Sequence, residues 1–148
     1  MKRQLKQGAL ALIVILPIAV MARSFPASGG RPVSWEDGEC FRMSGSAMYN
    51  NCTTQRRYEF ALTIDGAGSK TVLVTAYGAT SSNNVGCAVA GVNREGTLAW
   101  GGTRKWLPGF GSRQIITLTD GYMPSGGYMY LNCQVDPGGM LVAVDHTP

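Results

Sequence analysis

The chain has 148 residues, of which 13 are lysine or arginine and nine are aspartate or glutamate, for a formal net charge of +4. Lys2, Arg3 and Lys6 lie in a predicted export signal, so ten basic residues against nine acidic ones remain after it, a net charge of about +1. This balance argues against a nucleic-acid-binding protein, which carries a strong excess of positive charge. The length after the signal suits one domain with its own core.

Residues 1–22 have the pattern of a secretory signal peptide. The basic residues precede an apolar run from Gly8 to Met21, and Val20 and Ala22 supply the small side chains that a signal peptidase accepts before Arg23. The run is shorter than the roughly 20 residues that span a bilayer. We therefore predict cleavage after Ala22 and export to the periplasm or the extracellular space, with membrane contact only through this segment. An uncleaved signal anchor is the alternative.

The four cysteines, Cys40, Cys52, Cys87 and Cys133, all follow the predicted cleavage site. An even number of cysteines in an exported chain predicts two disulfides. A zinc site is disfavoured, because the sequence has no C-x-x-C pair and its one histidine, His146, lies near the end of the chain. We predict neither a metal ion nor a cofactor.

Short alternating or β-branched runs, separated by glycine, asparagine and proline, predict an all-β domain. The clearest predicted strands are Tyr58–Ile64, Thr71–Tyr77, Val85–Val92, Gln114–Thr119, Tyr128–Val135 and Met140–Val144. About seven or eight strands indicate an antiparallel β-sandwich of jelly-roll or immunoglobulin-like type over residues 38–148. Residues 23–37 are predicted to be a flexible N-terminal segment. An up-and-down barrel is the alternative fold.

Two turns carry specific expectations. Asp65-Gly66 is predicted to turn the first of these strands into the second as a hairpin, and Asp120-Gly121 is predicted to end the strand Gln114–Thr119. The stretch Gly66–Thr71 has a faint likeness to a phosphate-binding loop, but a serine stands before Lys70 and a strand follows, which favours a turn.

The strand pattern favours one pairing of the cysteines. Cys87 and Cys133 lie on the core-directed faces of their strands, whereas Cys40 and Cys52 lie together in the less regular N-terminal stretch. Pairs 40–52 and 87–133 are therefore favoured, although four cysteines allow three pairings.

Catalytic motifs are scarce. His146 is two residues from the C-terminal residue, and no serine lies in a G-x-S-x-G motif. The acidic residues that could act in hydrolysis lie mostly beside glycine or proline: Glu59, Asp65, Glu95, Asp120, Asp136 and Asp145. We predict no enzymatic activity. An enzyme that uses carboxylates alone is an alternative hypothesis, which requires two of them to converge in one cleft.

Four aromatic residues are candidates for ligand binding. Trp100 and Trp106 flank a glycine-rich stretch, and Tyr128 and Tyr130 occupy the strand face opposite Cys133. Flat rings on a sheet can stack on sugars, whereas core packing is the alternative role for such residues. The binding hypothesis requires at least two of the four rings to be exposed and roughly coplanar.

Two pairs of adjacent basic residues, Arg56-Arg57 and Arg104-Lys105, form local clusters. Two neighbouring charges are most often part of a solvated surface, and we interpret both pairs in this way rather than as a patch for a polyanion.

Several features occur together: a signal peptide, Cys40 before the first strands, Asn50-Asn51-Cys52, Val85-Gly86-Cys87, and the block Gly127-Tyr128-Met129-Tyr130-Leu131-Asn132-Cys133. In this combination the chain resembles a functionally uncharacterised family of small exported proteins of Gram-negative bacteria. The resemblance implies a disulfide-bonded β-sandwich and implies no particular activity.

The sequence thus predicts a secreted, non-catalytic domain that binds a partner or contributes to an extracellular structure. The alternative is a carbohydrate-binding module that uses exposed aromatic residues among Trp100, Trp106, Tyr128 and Tyr130. The candidate partner is a polysaccharide or another cell-surface polymer.

Overall fold

The computed structural model describes residues 22–148, so the predicted signal peptide, apart from Ala22, lies outside the described residues. These residues form two antiparallel sheets, one helical turn, α1 (Trp35–Gly38), and the short 3₁₀ helices Ala27–Gly29 and Ser81–Asn83. The β-sandwich predicted from the sequence is confirmed. Within residues 22–148, no helix is both long enough and apolar enough to cross a membrane.

Each sheet has six strands in the described part of the chain. The strands of sheet A are β1 (Arg23–Pro26), β3 (Phe41–Ser44), β4 (Ala47–Asn50), β6 (Gly68–Tyr77), β10 (Arg113–Met123) and β12 (Met140–His146). The strands of sheet B are β2 (Arg31–Pro32), β5 (Arg56–Leu62), β7 (Val85–Val92), β8 (Leu98–Gly101), β9 (Lys105–Trp106) and β11 (Tyr128–Val135). Sheet A is ordered β10-β6-β12-β4-β3, with β1 also paired to β12. Sheet B is ordered β2-β5-β11-β7-β8, with β9 also paired to β7.

The core lies between the two sheets and is built from alternate residues of their long strands. On β5, Tyr58, Phe60 and Leu62 are at most 6% exposed, as the alternation in the sequence predicts. On β6, Val72 and Val74 are fully buried. Burial of these apolar faces is the main source of stability for the sandwich.

The turn at Asp65-Gly66 is not the predicted hairpin. β5 belongs to sheet B and β6 to sheet A, so the chain crosses here from one sheet to the other. Gly66 has a φ of 78°, which glycine adopts readily in a turn. A turn motif locates the change of direction but does not identify the pairing: β5 lies between β2 and β11, and β6 lies between β10 and β12.

The strand predicted to end at Thr119 continues to Met123. Its pairing with β6 shifts register between Leu118 and Gly121, which marks a β-bulge where the sequence predicts a turn. The backbone passes close to its neighbour there, since a Cβ on Gly121 would lie 2.9 Å from the carbonyl oxygen of Lys70. Glycine at this position therefore permits a close approach of two strands rather than a chain reversal.

The segment 23–37, expected to be flexible, contributes two short strands: β1 pairs with β12, and β2 pairs with β5. Phe25 of β1 stacks on His146, with ring centroids 5.6 Å apart. The hydroxyl of Ser34 accepts a hydrogen bond from the backbone N–H of Asp37 and caps α1. Strands of four and two residues are too short to show periodicity in the sequence, and their pairing comes from the rest of the sheet.

Two disulfides are present, Cys40–Cys52 and Cys87–Cys133, in the pairing that the strand pattern favours. Cys87 and Cys133 face each other directly on the adjacent strands β7 and β11 of sheet B, and both are fully buried. The described part of the chain contains no free cysteine.

Candidate functional site

Sheet B turns one face to the core and a second face, here called the outer face, away from it. The outer face consists of Arg57, Glu59 and Ala61 of β5, Tyr128, Tyr130, Asn132 and Gln134 of β11, and Gly86, Ala88, Ala90 and Val92 of β7. Because side chains alternate along a strand, Tyr128 and Tyr130 lie on the side opposite the buried Cys133, as the sequence predicts.

Tyr130 stands between two small residues. The antiparallel register places Ala61 of β5 on one side of it and Ala90 of β7 on the other. Neither neighbour is large enough to enclose the ring, so Tyr130 is only half-buried. Tyr128 lies about 6.8 Å further along the same strand and is 54% exposed. Both rings are open to a ligand.

Two depressions border Ala61, one beside each tyrosine: the first lies on the outer face, whereas the second is lined largely by residues outside that face, among them Leu62, Ile64 and Met123. The depression beside Tyr130 has a volume of about 230 Å³ and contains the ion pair of Arg31 and Glu59, whose Nη2 and Oε1 atoms are 2.7 Å apart. The depression beside Tyr128 is larger, with a volume of about 450 Å³. An aromatic ring beside fixed polar groups is a combination typical of small-molecule and sugar sites.

Trp106 extends the outer face at its other end. It pairs with Gly86 of β7, and its ring covers that residue so closely that a Cβ on Gly86 would lie 2.4 Å from the ring atom Cε3. Trp106 is 40% exposed. Gly86 and Ala90 are four residues apart on β7, so the backbone positions paired with Trp106 and Tyr130 are about 13 Å apart along the strand. The outer face thus carries aromatic rings at both ends.

Arg104 and Asn132 lie between these rings. The Nη1 group of Arg104 donates hydrogen bonds to the carbonyl oxygens of Gly86 at 2.6 Å and Asn132 at 3.2 Å, and Nη2 donates to Oδ1 of Asn132 at 3.0 Å. The guanidinium is therefore fixed over the seam between β7 and β11. Because the side-chain oxygen of Asn132 accepts from Arg104, its amide nitrogen can donate to a ligand.

Trp100 does not belong to the outer face. It pairs with Gly91, whose Cβ direction points toward sheet A, and its Nε1 donates a 2.6 Å hydrogen bond to the carbonyl oxygen of Asp120 on β10. Together with Tyr122, whose ring centroid is 6.1 Å away, it walls a separate notch of about 230 Å³ between the sheets. Three of the four predicted rings therefore share one surface, and Trp100 lies elsewhere.

Asp120, at the base of this notch, has one carboxylate oxygen bound by the protein, while its other oxygen, Oδ1, is buried without a hydrogen-bond partner in the described part of the chain. Its Oδ2 accepts a 2.6 Å hydrogen bond from the backbone N–H of Thr103. This bond lowers the pKa of the Asp120 carboxyl, burial opposes the change, and the charge of Lys105 adds to it. Lys105 in turn donates to the carbonyl oxygen of Thr117. These groups hold sheet B to the edge strand β10. The outer face is the stronger candidate for a ligand because three of the four candidate rings lie on it.

The six acidic residues considered for catalysis are spread over the molecule, and five of them, all but Glu95, have a side-chain or backbone partner of their own. The pairs are Glu59 with Arg31, Asp65 with Arg23, Asp120 with Thr103, Asp136 with Gln55, and Asp145 with Ser24. In residues 22–148, no group of three or more histidine, cysteine, aspartate or glutamate side chains is placed to hold a metal ion. This distribution lends no support to the hypothesis of an enzyme that uses carboxylates alone.

Four residues of the site are not among those predicted from the sequence to bind a ligand: Arg31, Glu59, Arg104 and Asn132. Asn132 could have been found, because it alternates with Tyr128 and Tyr130 on the same strand. Arg31 lies in a two-residue strand and Arg104 in a loop. Their positions depend on tertiary pairing, which leaves no periodic signal in the sequence.

No family model and no curated protein matches the sequence. The structure is similar to the C-terminal CBM6 domain of LamC, a marine laminarinase from Zobellia galactanivorans, with a TM-score of 0.56, 9% identity, and coverage of 86% of this chain and all of that one. It is also similar to the GH26-CBM35 β-(1,4)-mannanase of Podospora anserina, with a TM-score of 0.52, 10% identity, and coverage of 86% of this chain and 27% of that one.

A third similar structure is the enzymatically active domain of tailspike protein 4 of bacteriophage CBA120. Its TM-score is 0.55 at 10% identity, and the match covers 68% of this chain and 15% of the other. At such identities the likenesses show the fold alone. The chain spans the whole of one carbohydrate-binding module and only a small part of the mannanase and tailspike chains. The fold is therefore a β-sandwich of the kind found in carbohydrate-binding modules.

Proposed function

We propose that this chain is a carbohydrate-binding module that holds a glycan on the outer face of sheet B. The observation that carries this proposal is the placement of Trp106, Tyr130 and Tyr128 along one surface, with Arg104 and Asn132 between them. Trp106 and Tyr128 are exposed, which supports the proposal in respect of the exposure that it requires of at least two candidate rings.

The chemistry of the face suits a sugar chain. The ring of a tyrosine or tryptophan offers a flat apolar surface to the C–H face of a pyranose, while its hydroxyl or N–H can bond at the edge. The Asn132 amide and the Arg31–Glu59 pair lie within the same surface and can bond to sugar hydroxyls. Alanines beside Tyr130 leave space for the sugar ring.

The likeness to the CBM6 domain supports the proposal at the level of the fold, since the match covers all of that module. It extends to no ligand, and the outer face is argued from this chain's own residues.

Export is the second part of the proposal: the chain is secreted and its signal is removed after Ala22. The two disulfides support an oxidising compartment. β1 begins at Arg23, so cleavage before that residue leaves the strand intact.

The intact mass of the protein from its native host tests this part of the proposal. The mass should correspond to a chain that begins at Arg23 and should lie about four hydrogens below the mass of the reduced chain. A full-length mass with free thiols would contradict export and cleavage.

The binding proposal is tested by affinity electrophoresis against a panel of soluble neutral and acidic polysaccharides. We expect retardation of the wild type on at least one of them and a loss of affinity of about tenfold or more in Tyr130→Ala, as for a central aromatic contact. Tyr122→Ala is the matched control, because Tyr122 is a 43% exposed tyrosine beside Trp100 rather than on the outer face. The proposed function would be overturned if no polysaccharide retarded the wild type. The assignment of the site to the outer face would be overturned if Tyr122→Ala lost affinity and Tyr130→Ala did not.

A further inference from the structure

We infer that the glycan held on the outer face is anionic, and that Arg57 and Arg104 together bind its carboxylate or sulfate groups. The inference rests on the proposed carbohydrate-binding function and adds the chemical class of the ligand. Its starting point is the pair of basic clusters in the sequence, Arg56-Arg57 and Arg104-Lys105, which the fold brings to the same sheet.

In each cluster, one residue interacts with a group away from the outer face, and the other residue lies on the outer face. Arg56 turns to Asp37, with 3.6 Å between Nη1 and Oδ1, and Lys105 donates to the carbonyl oxygen of Thr117 on β10. Arg57 alternates with Arg56 along β5 and is exposed on the outer face. One arginine from each cluster, Arg57 and Arg104, therefore lies on the outer face.

The register of sheet B places these arginines at the same end of the face. Gln134 of β11 lies opposite Arg57 of β5 on one side and Gly86 of β7 on the other, and Arg104 is bonded to the carbonyl oxygen of Gly86. Burial and the charge of Arg57 both lower the pKa of the Arg104 guanidinium, which indicates that the two positive charges repel each other. An anion bound at both groups would relieve this repulsion.

The face does not supply that anion itself. Among the residues that the structure describes, neither Arg57 nor Arg104 forms an ion pair. Glu59, the acidic residue of the outer face, is paired with Arg31. The surface therefore carries three arginines and one glutamate, an excess of positive charge on a protein whose predicted net charge after export is about +1.

Arg104 also retains hydrogen-bonding capacity. A guanidinium has five N–H donors, and the bonds to Gly86 and Asn132 use three of them. The remaining two can bind a carboxylate or sulfate, with bonds that are stronger than those to a neutral hydroxyl. Arg104 is held in place before the ligand arrives, so binding costs less side-chain entropy there than at a free arginine.

The test compares glycans that differ only in charge. Exported, oxidised protein is titrated with dextran sulfate and dextran, and with polygalacturonate and its methyl ester, so that the sulfate and carboxylate sources are distinguished. We expect the charged member of at least one pair to bind about tenfold or more tightly, and Arg57→Gln to reduce that preference about tenfold. Arg113→Gln, on an exposed residue of sheet A, removes the same charge and should change the preference less than about twofold.

The failures of the two proposals are distinguishable. Binding of the neutral and charged members with equal affinity would overturn the anionic ligand and leave carbohydrate binding intact. If Arg57→Gln and Arg113→Gln reduced the preference for the charged glycan equally, that preference would come from the general positive charge of the protein, and the inference would also be overturned. Tighter binding to a single-stranded DNA oligonucleotide than to any glycan would assign the arginines to another class of polymer. Absence of binding to all four glycans would count against the proposed carbohydrate-binding function itself.

Discussion

The ring of Trp106 lies directly on the backbone of Gly86, with 2.4 Å between the ring atom Cε3 and the position that a Cβ on Gly86 would take. Only a residue without a side chain allows this contact, which fixes the tryptophan flat at one end of the outer face. The contact links a small sequence feature, the glycine before Cys87, to the shape of the proposed glycan surface.

Replacement of Gly86 by alanine should therefore displace Trp106 from the outer face. We expect a loss of stability of about 1–3 kcal/mol from the crowded contact, together with weaker glycan binding. Gly101→Ala is the matched control, because nothing lies within 4 Å of a Cβ at that position. Thermal unfolding and affinity electrophoresis of both variants measure the two effects. If the two variants had the same stability and the same glycan affinity, the close contact with Gly86 would not be what holds Trp106 in place.

A second prediction concerns the hydrogen bond from Trp100 to Asp120. Trp100→Phe keeps an aromatic ring but removes the Nε1–H donor, so the carbonyl oxygen of Asp120 loses its 2.6 Å partner. We expect a loss of about 1 kcal/mol of unfolding free energy in urea, with glycan affinity preserved. A loss of glycan affinity without a loss of stability would move the binding site to the notch beside Trp100.

The third prediction is a dependence of stability on acid pH. Hydrogen bonding from Thr103 lowers the pKa of Asp120 in the folded protein below its value in the unfolded chain. The ionised carboxylate therefore stabilises the fold above about pH 4, the unfolded pKa, and this contribution is lost as the pH falls through the folded pKa. Asp120→Asn, which cannot titrate, should show a smaller fall in Tm between neutral and strongly acidic buffer. If Tm fell as much in Asp120→Asn as in the wild type, the lowered pKa of Asp120 would not contribute to the acid dependence of stability.

The two disulfides should differ in their contribution to stability. Cys87–Cys133 closes a separation of 46 residues and Cys40–Cys52 one of 12. The chain-entropy model then gives about 4 kcal/mol for the first bridge and about 3 kcal/mol for the second. Paired cysteine-to-alanine variants compared by urea unfolding should show the larger loss for Cys87–Cys133, where both residues are also fully buried. The opposite order would contradict this account.

Much of the fold could be predicted from the sequence because its long strands alternate clearly. The bounds that the sequence predicts for β7 and β11 are the observed ones, and the buried face of β5 follows from the spacing of Tyr58, Phe60 and Leu62. The errors fall where local signals compete with tertiary structure. Asp120-Gly121 has the composition of a turn but forms a bulge within β10, since β6 pairs with the strand on both sides of it.

The candidate site was only partly predictable for the same reason. Tyr128 and Tyr130 share a strand, so their common face follows from alternation alone. Trp100 and Trp106 are close in sequence, yet β8 and β9 pair with different parts of β7 and carry the two rings to opposite sides of sheet B. Nothing in the spacing of the two tryptophans indicates that separation.

The most direct test of the proposed glycan surface is a two-dimensional NMR titration of the oxidised protein with a short oligomer of whichever charged glycan, sulfated or carboxylated, the titrations show to bind, and with its uncharged counterpart. Binding on the outer face should shift the side-chain indole N–H signal of Trp106 and the backbone signals of Tyr128, Tyr130 and Asn132, with larger shifts for the charged ligand. Shifts confined to the Trp100 indole and Tyr122, or none with either ligand, would contradict the proposed surface.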